Sequence, residues 1–319
     1  MPWSITCSSV CRLPDIVAGR TRIDMEALTG LRRQAAALDL SSRPRVMTDL
    51  AGAHASGFRG RGMEFDDYRV YQPGDDLRAM DWRVTARTGT PHVRLYHEER
   101  ERPVMLCVDL RPAMWFATRG RFKSVVAAQA AALCGWAALD NRDRVGGLSF
   151  DGQRHAEIRP GGRPQLLQWL HTLADSTPAR GPVRADALSQ LLRRLLRTAR
   201  PGTLVGLFSD FRQLGPMESA LLRKLGQRVE LILGFVVDPI EQRLPPAGRY
   251  PLADETGQIR WIDTGDPHHR RRWSEQYAQR RAAAESAARS CRAHWVELST
   301  DGEPLDALST ALGRRRQVA

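Results

Sequence analysis

The chain has 319 residues, about two domains at ~150 residues each, or one α/β domain with a subdomain. A hydrophobic share of 42% with 26% charged residues excludes wholesale disorder. The net charge of +12 comes from 48 basic against 36 acidic residues, and every basic one except Lys123 and Lys224 is arginine. Such an excess reads either as a phosphate-binding surface or as a coding bias toward Arg and Ala. The bias is preferred, because most of the arginines are interleaved with Asp and Glu.

Residues 1–23 are irregular and carry no basic segment followed by an apolar run, so no signal peptide is expected. The spaced pair Cys7 and Cys11 has no His or second Cys pair beside it and is weak evidence for metal. From Met25 to Leu40 the positions Leu28, Leu31, Ala35 and Leu38 predict a helix capped by Asp24. Ser41–Gly62 reads as loop, and Met63–Glu101 as short strands with turns at Gln72–Asp75 and Thr88–Pro91.

The pattern changes at Pro103. Val104–Val108 is a continuous apolar run ending in Asp109, as in a central strand of a parallel sheet. A helix over about 122–139 follows, too short and too interrupted to span a bilayer. Strands are predicted at Val145–Phe150, Thr203–Ser209, Val229–Val237 and His294–Leu298, with an edge strand at His155–Ile158. Helices are predicted at Gln165–Leu173, Leu188–Thr198, Glu218–Leu225, His268–Cys291 and Pro304–Leu312. The fold class is therefore α/β, doubly wound and mostly parallel. The expected division is an irregular 1–23, a helix plus β-rich segment at 24–102, and an α/β domain at 103–319 with a hairpin insertion at 240–263. Cys107 and Cys134 read as buried thiols, and the chain as cytoplasmic.

Two central strands end in carboxylates, Asp109 and Asp210. On adjacent strands these reach metal-binding or pKa-coupling distance; the alternative is that each caps the element after it. Catalytic templates are missing. No Gly-x-Ser-x-Gly elbow occurs, Arg111 stands two residues after Asp109 where a phosphatase has Asp, and His268-His269 lacks zinc-site spacing. Gly60-Arg61-Gly62 has no phosphate-loop lysine. No enzyme is expected. Two rivals are an arginine-rich nucleic-acid-associated protein and a divalent-metal phosphodiesterase on Asp109/Asp210.

The stretch Gly62–Trp82, followed by Thr85-Ala86-Arg87, resembles the signature of the bacterial and archaeal domain of unknown function 58 family. Its signature positions here are Glu64, Phe65, Arg69, Tyr71, Gly74, Asp75, Asp76, Arg78, Asp81, Trp82 and Arg87. The resemblance implies a von Willebrand factor A-like domain and a partnership with a MoxR-type AAA+ ATPase in assembly or maturation of other proteins. It also implies a metal-ion-dependent adhesion site of the form Asp-x-Ser-x-Ser, completed by a Thr and a later Asp, which suits Mg²⁺. This chain keeps Asp109 and Asp210 but has Arg111 and Ala113 at the serine positions, and no clear Thr in Val183–Ala187. The expectation is a degenerate site in which Arg111 replaces the ion and pairs with both carboxylates, without a cofactor. Asp109, Arg111 and Asp210 then form the interaction surface, with the hairpin a second candidate. The charged residues of 64–87 are expected to form salt bridges, with Trp82 and Tyr71 as core anchors.

Overall fold

The structure is a computed structural model that describes residues 18–40, 63–72, 80–98, 101–179, 183–253 and 259–313. By internal contacts the chain divides between residues 41 and 42 and again between 101 and 102. The first helical segment comprises α1 (Ala18–Thr21), α2 (Met25–Gly30) and α3 (Arg32–Ala35). Asp24 caps α2 by accepting a hydrogen bond from the Ala27 N–H at 2.8 Å. The single helix expected over Met25–Leu40 is broken at Leu31, which ends α2 and opens α3. Its apolar positions Leu28, Ala35 and Leu38 are buried all the same, in the α/β core. The helical segment therefore belongs with the α/β body and not with the β-rich residues that follow it.

The unit at 42–101 contains β1 (Met63–Val70), α4 (Trp82–Thr88) and β2 (His92–Glu98), with β1 and β2 antiparallel. Helix α4 lies where the sequence predicts only strand and turn. Asp81 makes it possible, its Oδ1 accepting from the N–H groups of Arg83 and Val84, and Gly89 closes it in the left-handed region at φ 73°. Trp82, the first residue of α4, is 69% exposed and is not the core anchor expected. Tyr71 is half-buried. Gly74, Asp75, Asp76 and Arg78, and the side chains of Glu64 and Phe65, lie outside the described residues.

The body continues with β3 (Pro103–Asp109), α5 (Lys123–Asp140), β4 (Arg144–Phe150), β5 (His155–Gly161), α6 (Arg163–Ala174), α7 (Ala187–Thr198), β6 (Leu204–Ser209) and α8 (Pro216–Gly226). After these come β7 (Glu230–Val237), α9 (Pro239–Gln242), the hairpin β8 (Arg249–Ala253) and β9 (Ile259–Asp263), α10 (Pro267–Ser290), β10 (His294–Ser299) and α11 (Pro304–Leu312). Six strands form one sheet in the order β10-β7-β6-β3-β4-β5. All neighbours pair in parallel except β5, which runs antiparallel to β4 at the edge. This is the doubly wound, mostly parallel α/β architecture predicted. From β3 the chain first builds outward through β4 and β5, then returns to the other side with β6. The strand order thus reverses between β3 and β6, and the carboxyl ends of those two strands flank the switch point.

Alternation along each strand feeds two cores. Leu106 and Val108 face α5 and α6, while Met105 and Cys107 face the layer of α7, α8 and α10. Helix α5 is buried on every side from Lys123 to Ala138, because α2 and α3 cover the face it turns away from the sheet. The Trp136 indole N–H donates to the Leu28 carbonyl at 3.0 Å. Cys107 and Cys134 are fully buried, and burial pushes the Cys134 thiol up to about 12 and Cys107 higher still, so neither is a ready nucleophile. Among the described residues no helix is long and apolar enough to cross a membrane.

On β4, Gly147 leaves room for the buried Trp169 of α6. A Cβ there would stand 2.1 Å from the indole ring. Gly147→Ala is therefore expected to lower stability by about 1–3 kcal/mol through overpacking. A shifted urea midpoint with unchanged slope checks this; an unmoved midpoint contradicts it.

Arg102 stands where the 42–101 unit rejoins the body. Its Nη2 donates to the Leu40 carbonyl at 2.6 Å, its Nη1 to Glu230 Oε2 at 2.9 Å, and its backbone N–H to Asp143 Oδ1 at 3.1 Å. The last described residue before the unit and the first after it are thus fastened side by side.

Candidate functional site

Asp109 ends β3 with its carboxylate fully buried. The chain then turns, and the Arg111 backbone N–H donates to Asp109 Oδ1 at 2.9 Å. That turn folds the Arg111 guanidinium back over the carboxylate. Its Nε lies 3.0 Å from both oxygens and its Nη2 2.6 Å from Oδ2. Nη2 is also 3.6 Å from Asp210 Oδ1, and Nη1 donates to the Arg212 carbonyl at 3.2 Å and to Gln213 Oε1 at 2.9 Å. The Phe150 ring lies 5.5 Å from the guanidinium carbon. Arg111 is buried, with its fork bridging the ends of β3 and β6. The Ser209 hydroxyl donates to Asp109 Oδ2 at 2.6 Å and accepts from the Phe211 N–H at 3.0 Å.

The cluster extends further than the sequence indicated. Lys123, the first residue of α5, is fully buried and places its Nζ 3.1 Å from Asp210 Oδ2 and 2.9 Å from Glu241 Oε1. Arg212 adds an Nε 2.9 Å from Asp210 Oδ2 and an Nη2 3.1 Å from Glu241 Oε1. Arg280 of α10 reaches Glu241 Oε2 at 2.6 Å and lies against the Phe235 and Tyr277 rings. Three buried carboxylates therefore face four cations. Burial by itself would raise the Asp210 and Glu241 carboxyls; Lys123, Arg212 and Arg280 outweigh it at both, joined by Arg111 at Asp210. Asp210 is held far below the usual carboxylate range and Glu241 at about 2.

The capping alternative holds as well: Asp109 and Asp210 accept from the N–H groups of Arg111 and Arg212 at 2.9 and 3.1 Å, and a third strand end repeats the contact. Asp238, after β7, accepts from the Ile240 N–H at 3.0 Å at the start of α9. It also accepts from the N–H and hydroxyl of Thr118 at 2.8 and 2.5 Å and from the Thr300 hydroxyl at 2.7 Å. It ties three connections together and stands apart from the cation cluster.

The donor set does not suit the divalent ion that the resemblance implies. Mg²⁺ needs near-octahedral oxygen ligands. Here Arg111 and Ala113 replace two hydroxyls, and the Asp109 and Asp210 oxygens are already engaged by Arg111, Ser209, Lys123 and Arg212. Among the described residues, no three His, Cys, Asp or Glu side chains are placed as metal ligands.

Of the sequence candidates, Asp109, Arg111 and Asp210 meet in one cluster. Lys123, Glu241, Arg212 and Arg280 were missed. One signal was in plain sight: Lys123 is one of two lysines in a chain that otherwise uses arginine. Its compact ammonium joins the same two carboxylate oxygens that the Arg212 guanidinium bridges.

The fold and this site define a doubly wound α/β protein with an internally ion-paired switch point. The chain belongs to the family described as protein of unknown function DUF58, which matches residues 67–283. It is 34% identical over 285 residues to the uncharacterized proteins Rv1480 of Mycobacterium tuberculosis and Mb1516 of Mycobacterium bovis, covering 88% of this chain and 89% of theirs. Among solved structures it is similar to the VWA domain of SpRpn10, at 12% identity and a TM-score of 0.34, over 66% of this chain and 94% of that one.

Proposed function

We propose that this protein is a non-enzymatic, cytoplasmic adaptor or scaffold that works with a MoxR-type AAA+ ATPase and presents the carboxyl end of its sheet to other proteins. The observation that carries this reading is the buried cluster of Asp109, Arg111, Lys123, Asp210 and Glu241. Each carboxylate at the switch point is paired with at least one cation of the same chain, which supports a cluster that fixes the surrounding loops. Gln213 and Arg184 on its rim are exposed and linked, the Gln213 amide donating to the Arg184 carbonyl at 3.2 Å. They form the accessible face of the site. The hairpin supports a second contact: Trp261 on β9 is 62% exposed beside a cavity of about 190 Å³ lined by Leu244, Ile262 and Trp273. Exposed tryptophans of this kind anchor protein interfaces.

Tagged full-length protein, expressed in a host that encodes a MoxR-type ATPase, is expected to co-purify that ATPase equally well with and without EDTA. Asp109→Ala and Arg111→Ala disturb the buried cluster, so their effect is to be read beside variants that spare it. Arg184→Glu with Gln213→Ala, or Trp261→Ala, is expected to reduce recovery several-fold while leaving the thermal midpoint unchanged. Recovery of no AAA+ ATPase overturns the adaptor reading. Micromolar Mg²⁺ binding by calorimetry that Asp109→Ala abolishes overturns the ion-free site.

A further inference from the structure

A concave site lies at the other end of the sheet. A cavity of about 800 Å³ opens where β3, β4 and β6 begin, bounded by β5 and by the last turn of α7 and the residues after it. Strands of seven residues separate it from Asp109 by roughly 20 Å. Its wall carries Arg144, Arg159, Arg194 and Arg200 against one acid, Glu157, and its floor includes Met105. Arg194 is committed to Glu157, with contacts of 2.6 and 2.5 Å. Arg159 and Arg200 are exposed, and their side chains make no hydrogen bond or ion pair with any described residue.

The placement of Arg159 is built into the sheet. The register between β4 and β5 shifts between Val145 and Gly147, so that Arg159 and Pro160 together lie opposite Gly146. A bulge of this kind bends an edge strand and re-aims its side chains. Gly146 permits it, since a Cβ there would meet the Ile158 carbonyl oxygen at 2.5 Å. Arg159 and Arg200 thus bring two side-chain charges to the pocket, whereas on α10 Arg281 and Arg289 both contact Glu285.

We infer that this cavity is a binding site for a nucleotide-sized organic phosphate. Guanidinium forks match phosphate oxygens in bidentate pairs. The cavity volume lies within the range of small-molecule sites and is closed on two sides, which favours a discrete ligand over a strand of nucleic acid. Half-buried Pro103 supplies a small apolar surface beside the phosphates, Met105 and Ala199 being almost wholly buried. The site is independent of the switch-point cluster and of the adaptor reading.

Calorimetric titration of the full chain with ADP, inorganic pyrophosphate and adenosine tests it. ADP and pyrophosphate are expected to bind and adenosine to give no heat. Arg159→Ser with Arg200→Ser is expected to raise the Kd for ADP at least tenfold with the thermal midpoint unchanged. Arg271→Ser with Arg272→Ser on α10, which removes the same charge, is expected to leave it within twofold. Absence of binding by both phosphates at millimolar concentration overturns the inference, as does adenosine binding as tightly as ADP or an equal loss in the two double variants.

Discussion

Lys123→Met is expected to lower the unfolding free energy by about 3–5 kcal/mol at neutral pH, the cost of removing one partner from a buried ion pair. The ammonium is fully buried and is the bridge between Asp210 and Glu241. Without it three cations remain for three carboxylates: Asp210 keeps Arg111 and Arg212, and Glu241 keeps Arg212 and Arg280, but each loses the cation that lowers its carboxyl most. Lys123→Arg keeps the charge but forces a larger planar group into the same space. It is expected to cost about 1–3 kcal/mol and remains readable if the methionine variant does not fold. Urea unfolding at pH 7 measures both. The cause is separable by pH: the methionine deficit should shrink toward pH 4, where carboxyls no longer held down by Lys123 take up protons. A deficit constant from pH 7 to pH 4 would point to packing alone.

The wild-type protein is expected to lose stability in acid earlier and more steeply than its surface charges predict. Glu241 is held at about 2, below its ordinary 4.5, by Lys123, Arg280 and Arg212 against the opposing effect of burial. A carboxyl whose pKa is depressed on folding contributes stability that is complete above the unfolded value and disappears as pH falls toward the folded one. For Glu241 that window runs from about pH 5 to about pH 2, with about 2 kcal/mol lost by pH 3. Asp210, depressed in the same direction, adds to the loss. Because both groups are buried, 1 M salt should leave most of the pH dependence in place. Urea midpoints at pH 7, 5, 4 and 3 provide the measurement, and a midpoint flat across that series contradicts the charge assignment.

The body of the fold was legible because each central strand is a short apolar run closed by a polar residue, and each helix has its own periodic face. Val104–Val108 followed by Asp109 needs no partner to be recognised. Helix α4 was not legible in the same way, since its seven residues are too few for a periodic pattern and its evidence is a cap, Asp81, at the end of an acidic and basic run. The site divides along the same line. Arg111 folds back on Asp109 across two residues, a spacing visible in the sequence. Lys123 and Glu241 meet across 118 residues, and only the sheet order brings them together. At the head of an apolar helix Lys123 reads as a polar flank exposed to water. Its burial depends on Asp210 and Glu241 arriving from β6 and α9.

The fastening of Arg102 to Leu40 bears on how this protein tolerates change. A long excursion whose two ends already meet costs the chain little to accommodate, since closure entropy rises by only about 0.6 kcal/mol for each doubling of length. Residues 42–101 can therefore grow, shrink or diverge without pulling the body apart, as inserted domains do when their ends leave and return at one point. The body gives up something in exchange. Its covering helices α2 and α3 are synthesised before that excursion and the helix they cover after it, so α5 meets its lid only once the whole intervening segment has been made.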